Sequence, residues 1–374
     1  MNVQYVNLVE HQILVTPMLK SLKIENFRCF PSFEMGQLGR LNLIVGTNNS
    51  GKTSILEAIQ LLLDAPITFD FKVLGEIITG RSEYVMNDEY QDKNLVVRHL
   101  FYNHQIHIDS KFAISGKSFT GNQTKLIISI KNINIQHTNQ ESLLLCVKRL
   151  KDIMEIETSI KLSSEGMLSL KTLQDTVNSL INHSKSNIQF VNSSSLTTEK
   201  ALNLFEDTVL TPEEDLVIQA LQIIEPQIKR IAPLIGKNGY KGTRGSFIVQ
   251  TPENQRIPIG SMGDGMWRML GLALAIVNAK DGVLLVDEID TGLHFTVMSD
   301  MWKMIWETAK RLNVQVFATT HSNDCWQSLA DIANAENPSE DGITIHRIEK
   351  GKTQSIVFTE DEIEIAAEEG IEVR

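Results

Sequence analysis

The chain has 374 residues, of which 42% are hydrophobic and 22% charged, and its formal net charge is −11. That length asks for one large or two intimate lobes, and the composition is that of a globular fold rather than a disordered or fibrous one. The acidic balance argues against a surface coated in basic residues. No apolar stretch reaches the roughly 18–20 residues of a membrane span, so no membrane role is expected.

Residues 1–17 contain Glu10, His11 and Pro17 and lack a basic start, so they do not resemble a secretory signal. They read as an N-terminal extension, disordered or loosely held, ahead of the domain. Cys29, Cys146 and Cys325 are odd in number and far apart, as suits free thiols in a reducing compartment, and a cytoplasmic location is expected. From Met18 the alternation of Leu19, Leu22, Ile24 and Phe27 is strand-like, though imperfect.

The apolar run Leu41–Val45 reads as a strand, and Ser54–Leu63 reads as a helix. Between them Gly46-Thr47-Asn48-Asn49-Ser50-Gly51-Lys52-Thr53 fits G-x-x-x-x-G-K-[ST], the phosphate-binding loop, in the strand–loop–helix context that motif requires. Gly46 and Gly51 let the loop curl so that backbone N–H groups face phosphate oxygens. The helix N-terminus, opened by Ser54, adds partial positive charge; Lys52 reaches the outer phosphates, and the Thr53 hydroxyl is a Mg²⁺ ligand.

Between about 95 and 165, short alternating runs such as Leu95–Phe101, Ile106–Asp109 and Lys125–Ile130 predict antiparallel strands and hairpins. Residues 172–235 turn helical. Thr211-Pro212-Glu213-Glu214 has a capping residue followed by proline, and Val217, Leu221, Ile224, Ile228 and Ile231 form a stripe that Pro226 should kink. The stripe is too short for a coiled-coil arm. Between Glu225 and Glu253 there is no acidic residue, whereas Lys229, Arg230, Lys237, Lys241 and Arg244 all fall there. Such a patch is either a solvated face or a track for a DNA phosphate backbone.

After Arg244 a hairpin near Phe247–Pro258 leads into alternating helices and strands, which implies a parallel sheet. Ser261-Met262-Gly263-Asp264-Gly265 precedes an apolar helix over Trp267–Lys280. Its small residues permit close backbone approach, and Ser261 with the helix N-terminus would make a second anion site; a plain loop-to-helix cap would look the same. Gly282–Val286 is an apolar strand ending in Asp287-Glu288. Lying beside the phosphate-loop strand, it would bring Asp287 to the Mg²⁺ shell and Glu288 to the attacking water. A second strand, Val314–Thr319, runs into Thr320-His321-Ser322, where His321 is a candidate γ-phosphate sensor.

Phosphate loop, Ser-x-Gly turn, Asp-Glu strand and switch histidine, in that order, resemble the ABC-type ATPase heads, which include transporter nucleotide domains, SMC and RecF-type DNA proteins and the OLD family. Ile24-Glu25-Asn26-Phe27-Arg28, Met262–Gly265 and Gly292-Leu293-His294 most resemble the OLD-like branch, the AAA-15/AAA-21 type of bacterial ATPase. The likeness covers roughly residues 18–65 and 245–350. It implies an α/β P-loop head with a mixed or parallel core sheet, an antiparallel β subdomain and an inserted helical lobe. The segments are 18–165 for the P-loop and β lobe, 166–244 for the helical insertion and 245–350 for the signature, acidic-strand and switch lobe, with an acidic C-terminal tail over 351–374. Met262 stands where transporter heads have glycine, Asp264 where they have glutamine, and Ile289-Asp290 where many relatives have Pro-Glu. None of these removes a group that touches phosphate, so turnover of Mg-ATP is expected. For the Mg²⁺-contacting glutamine of such heads, Gln60 and Gln91 are the visible candidates.

By the same resemblance two heads would sandwich two ATPs, with Ser261, Gly263 and Gly265 of one chain completing the other's site. The chain after Ser322 is too short for the TOPRIM nuclease domain that OLD proteins often carry, so an effector would be a separate polypeptide, and phage defence is the implied setting. The other implied readings are a RecF-type DNA clamp and a plain housekeeping ATPase or transporter head.

Overall fold

The computed structural model describes residues 16–63, 71–87, 92–134, 141–179, 187–234, 246–252, 255–334, 339 and 341–373. Its centre is a six-stranded sheet in the order β11 (Ile188–Val191), β15 (Val283–Val286), β16 (Gln315–Thr319), β3 (Leu41–Val45), β17 (Ile343–Arg347) and β18 (Ile356–Phe358). The first five strands run parallel and β18 closes one edge antiparallel. Every residue of β3, β15 and β16 is buried, as strands covered on both faces must be. Their side chains alternate between two cores. Ile44, Val283, Leu285 and Phe317 enter one; Leu43, Leu284, Val286, Val316 and Ala318 enter the other.

The first core is closed by α1 (Lys52–Leu63), the helix that leaves the phosphate loop. This helix is apolar nearly all round because it lies between two sheets. The second sheet is antiparallel, in the order β2 (Phe30–Met35), β1 (Leu19–Phe27), β6 (Lys111–Ser118), β7 (Gln123–Asn134), β8 (Glu141–Lys151) and β9 (Met154–Lys161). The fully buried Gln315 amide joins the sheets, accepting from Leu19 N–H at 2.8 Å and donating to the Leu19 and Gly39 carbonyls at 2.7 and 2.8 Å. The opposite face of the parallel sheet carries α6 (Asp264–Asn278), α7 (Met298–Leu312) and α8 (Asn323–Ala333).

Two smaller sheets flank this centre. One is β10 (Met167–Ser169), β5 (Asp92–Val96) and β4 (Tyr84–Asn87), beside α2 (Phe71–Gly80) and α3 (Leu170–Ser179). The other is β12 (Arg230–Pro233), β13 (Phe247–Gln250) and β14 (Arg256–Pro258), next to α4 (Thr198–Thr208) and α5 (Glu214–Gln222). The acidic segment near the C-terminus is helical as expected. It forms α9 (Glu360–Glu368), started by a capping box of Thr359 and Glu362 and held to the core by Ile363 and Ala366.

The expected α/β head, with its parallel core sheet and antiparallel β subdomain, is present, and six local readings change. The run Leu95–Phe101 leaves its strand at Val96 and becomes a 3₁₀ turn, and Ile106–Asp109 is loop and turn rather than strand. Thr211 does not cap a helix: its hydroxyl donates back to the Thr208 carbonyl at 2.6 Å, and α5 starts at Glu214. Pro226 does not kink a long helix but follows its end at Gln222. A proline ring clashes with the carbonyl four residues back and disfavours helix in the residue before it, and Ile231 passes instead into strand β12. The segment read as a helical insertion also supplies β11 to the central sheet. Finally, the acidic strand β15 does not lie beside the phosphate-loop strand, because β16 separates β15 from β3.

Candidate functional site

Loops that leave the carboxyl ends of parallel strands gather at one edge of the sheet, and the candidate residues meet there. Gly46 and Gly51 have φ of 145° and 102°. A Cβ at Gly46 would collide with the Ile348 carbonyl, and one at Gly51 would sit 2.7 Å from Cys29 Sγ and run into the Phe30 ring. Glycine is therefore required twice over, by dihedral and by space. The Ser50 hydroxyl is buried inside the turn without a hydrogen-bond partner. Lys52 curls back over the loop, its Nζ donating to the Gly46 and Thr47 carbonyls at 2.9 Å each and lying 3.4 Å from His321 Nδ1. Burial pushes its ammonium down to about 8, against the pull of Asp287 and Glu288. Thr47, Asn48 and Asn49 form the exposed crest. Ser54, one residue into α1 from Thr53, is buried and accepts from Arg81 Nη2 at 3.1 Å.

Asp287 reaches this loop although its strand is one place removed. Thr53 Oγ1 donates to Asp287 Oδ2 at 3.0 Å, and Thr319 Oγ1, from the intervening β16, donates to Asp287 Oδ1 at 2.7 Å. The two proposed metal ligands, Thr53 and Asp287, are thus brought together as hard oxygen donors, the kind Mg²⁺ takes. Glu288 follows with φ of 49°, a left-handed conformation for a residue that rarely adopts it. Its N–H donates to Thr319 Oγ1 at 2.8 Å, and its Oε2 accepts from the Thr291 hydroxyl at 3.3 Å. Burial lowers the His321 pKa from its ordinary value, and the nearby Lys52 ammonium pushes the same way. The ring is therefore neutral at pH 7.

Three supporting residues carry no motif and were not singled out from sequence. Thr319 is the hub between Asp287 and Glu288; its place as the last strand residue before His321 was the available signal. Arg81 donates to Glu57 Oε1 at 2.6 Å as well as to Ser54. Burial pulls its guanidinium down, but Glu57, Glu83 and Asp287 more than offset this and hold it above its ordinary range. Arg268 is buried on α6, with burial pushing it down to about 10 against the pull of Asp290, Asp287 and Glu288. Neither glutamine candidate is supported. Gln60 is buried about 12 Å along α1 from Lys52 at 1.5 Å per residue, and Gln91 lies outside the described residues.

Ser261 is exposed on a 3₁₀ turn over Ile259–Met262, and Gly263, also exposed, has φ of 93°. A Cβ on Gly265 would lie 2.8 Å from the Gly292 carbonyl, so the turn packs against the segment that follows the acidic strand. Asp264 opens α6, with Gly263 as N-cap and no side-chain cap, so the first turn of the helix carries an acidic residue. Lys229 and Arg230 are exposed at the start of edge strand β12, while Lys237, Lys241 and Arg244 lie outside the described residues. Among the described residues no helix is long and apolar enough to cross a membrane.

A family model described as AAA domain, putative AbiEii toxin, Type IV TA system matches residues 41–324. An ATP/GTP phosphatase of Helicobacter pylori is 24% identical over 344 residues, 84% of this chain and 88% of that protein. An OLD nuclease of Thermus scotoductus is 52% identical over 46 residues, 12% of this chain and 8% of that protein. Among solved structures, an Smc head bound to the C-winged helix domain of ScpA covers 92% of this chain and 98% of that chain, at 14% identity and a TM-score of 0.47.

Proposed function

The chain belongs to the AAA domain family described as putative AbiEii toxin, Type IV TA system, and from that premise we propose a nucleotide-driven switch. Two copies close on ATP, open on its hydrolysis, and so regulate a separate effector. The protein is a P-loop ATPase of the OLD-like, ABC-type kind. One observation carries the mechanism: Lys52, Thr53, Asp287, Glu288 and His321, from three different strand ends, converge on one loop.

In this reading the loop N–H groups of Gly46–Ser54 and the Lys52 ammonium bind the phosphates. The site suits Mg²⁺, because Thr53 and Asp287 offer convergent oxygens 3.0 Å apart. Bound there, the ion would neutralise phosphate charge. Glu288 polarises the attacking water, while neutral His321 donates a hydrogen bond to the γ-phosphate side. Ser261, Gly263 and Gly265 serve the partner copy's nucleotide; the exposure of Ser261 and Gly263 supports this. A TOPRIM-type nuclease as effector, a cytoplasmic setting and a role in phage defence rest on the OLD likeness. The exposed Lys229 and Arg230 favour a second reading, a dimer that clamps DNA as a RecF-type repair ATPase would.

The test is the mass of the protein and of Glu288→Gln, with and without Mg-ATP, beside a phosphate-release assay. The expected result is ATP-dependent phosphate release by the wild type and an ATP-trapped dimer for the variant. A variant that remains monomeric with Mg-ATP removes the sandwich, and a mass unchanged by nucleotide removes the switch.

A further inference from the structure

Arg268 lies one turn into α6, the helix that begins at the signature turn, and it is only 2% exposed. Among the described residues its guanidinium has no carboxylate within hydrogen-bond reach, and it binds backbone carbonyls. Nη1 donates to the Asn192 carbonyl at 2.6 Å, and Nη2 donates to those of Asp287 and Glu288 at 2.8 Å each. Nε lies 3.5 Å from the Ile289 carbonyl. One side chain therefore spans the end of β11 and three successive peptides at the end of the acidic strand. A guanidinium can do this because its donors form a fixed planar fork; the single ammonium of lysine cannot reach all three positions at once.

One of the peptides that Arg268 holds is the left-handed one. Glu288 has φ of 49°, its N–H is tied to Thr319 and its carboxylate to Thr291. Its carbonyl accepts from the Thr291 N–H at 3.0 Å as well as from Arg268, and the Ile289 N–H of the same peptide donates to the Thr319 carbonyl at 2.9 Å. Such a conformation is costly for a residue with a Cβ and persists only where the surroundings over-determine it. At the start of the same helix, Gly265 packs on the Gly292 carbonyl, so α6 touches the segment after the acidic strand at two levels.

We infer that Arg268 is a positioning residue that fixes the Glu288 backbone in its left-handed conformation and conveys the position of the signature helix to that carboxylate. Its bonds are to protein carbonyls, so it acts through Glu288. Engagement of Ser261 and Gly263 with a partner's nucleotide moves the start of α6, and the guanidinium carries that movement to the peptide that aims Glu288. The inference rests on the ATPase reading above and extends it to the residue that couples the two exposed faces.

The experiment is steady-state hydrolysis by Arg268→Lys and Arg268→Met, with ATP affinity measured separately using a fluorescent nucleotide. Wild-type turnover is measured first; its absence refutes the ATPase reading and the role of Arg268 with it. Misplacement by about 1 Å costs on the order of a hundredfold in rate, so kcat should fall about a hundredfold, with KM and nucleotide affinity within threefold of wild type. A merely structural role would lower affinity and thermal stability together. A cycle with Glu288→Gln separates the two, because a residue acting through Glu288 adds no further loss to the residual single-turnover rate of that variant. Three results overturn the inference: turnover within threefold of wild type in both variants, an undiminished loss in the Glu288→Gln background, or failure of both variants to fold.

Discussion

Replacing Thr319 by valine tests how the acidic strand end is held. The residue is fully buried, and valine keeps its shape while removing the hydroxyl. That hydroxyl donates to Asp287 Oδ1 at 2.7 Å and accepts the Glu288 N–H at 2.8 Å. A hydrogen bond to a charged group contributes about 1.5–3 kcal/mol, and an N–H left unpaired in a part-buried place costs about 1–3 kcal/mol. Asp287 keeps its bond from Thr53, so the loss should fall at about 3–5 kcal/mol rather than more. Thr319→Ser retains the hydroxyl and loses one methyl, worth about 1 kcal/mol. Urea denaturation at pH 7.5, read with an unchanged slope, measures both variants. Hydrolysis should fall by roughly ten- to a hundredfold in Thr319→Val, since Glu288 loses the tether on its N–H, and recover in Thr319→Ser. A valine variant within 1 kcal/mol of wild type and with full turnover would refute the idea that this hydroxyl organises the site.

Glu57 is buried on α1 between Arg28 Nε at 3.1 Å and Arg81 Nε at 2.6 Å. Glu57→Gln removes the carboxylate that Arg28 and Arg81 share, while Glu83 still pairs Arg28 at 2.6 Å, and should destabilise by about 2–3 kcal/mol, as loss of hydrogen bonds to a charged group does; a change below 1 kcal/mol in urea would contradict this. His346 is completely buried between the Thr344 and Ser355 hydroxyls, and burial pushes its pKa down to about 3. It stays neutral in the fold while the unfolded chain protonates near pH 6.5, so stability holds above that pH and declines as pH falls towards 3, by ~5 kcal/mol in all. Between pH 6.5 and 4.5 the wild type should lose about 3 kcal/mol more than His346→Asn. Parallel pH curves for the two proteins would show that this histidine is not the cause.

The phosphate loop was legible because its demands are local. Gly46 and Gly51 answer positive φ and close approach within one turn, and the strand before and helix after declare themselves by apolar runs. The same holds for the buried strand Val283–Val286 and for Lys125–Ile130 within β7, whose apolar pattern sits in a few adjacent residues. The order of the strands was not local, and the sequence placed β15 beside β3, although the fold sets β16 between them. The meeting of Thr53 with Asp287, the bridging hydroxyl of Thr319 and the hold of Arg268 on three successive peptides depend on that order. No spacing along the chain encodes them, since each joins elements brought together only by burying both faces of one parallel sheet. Pro226 shows the same division at small scale. The apolar stripe continues through it, but the ring ends the helix, and the residues beyond find their burial in a strand. Sequence named the groups that chemistry requires; the packing of α1, α6 and five parallel strands decided which of them touch, because contact at that edge is set by the crossovers and by the shared core beneath them.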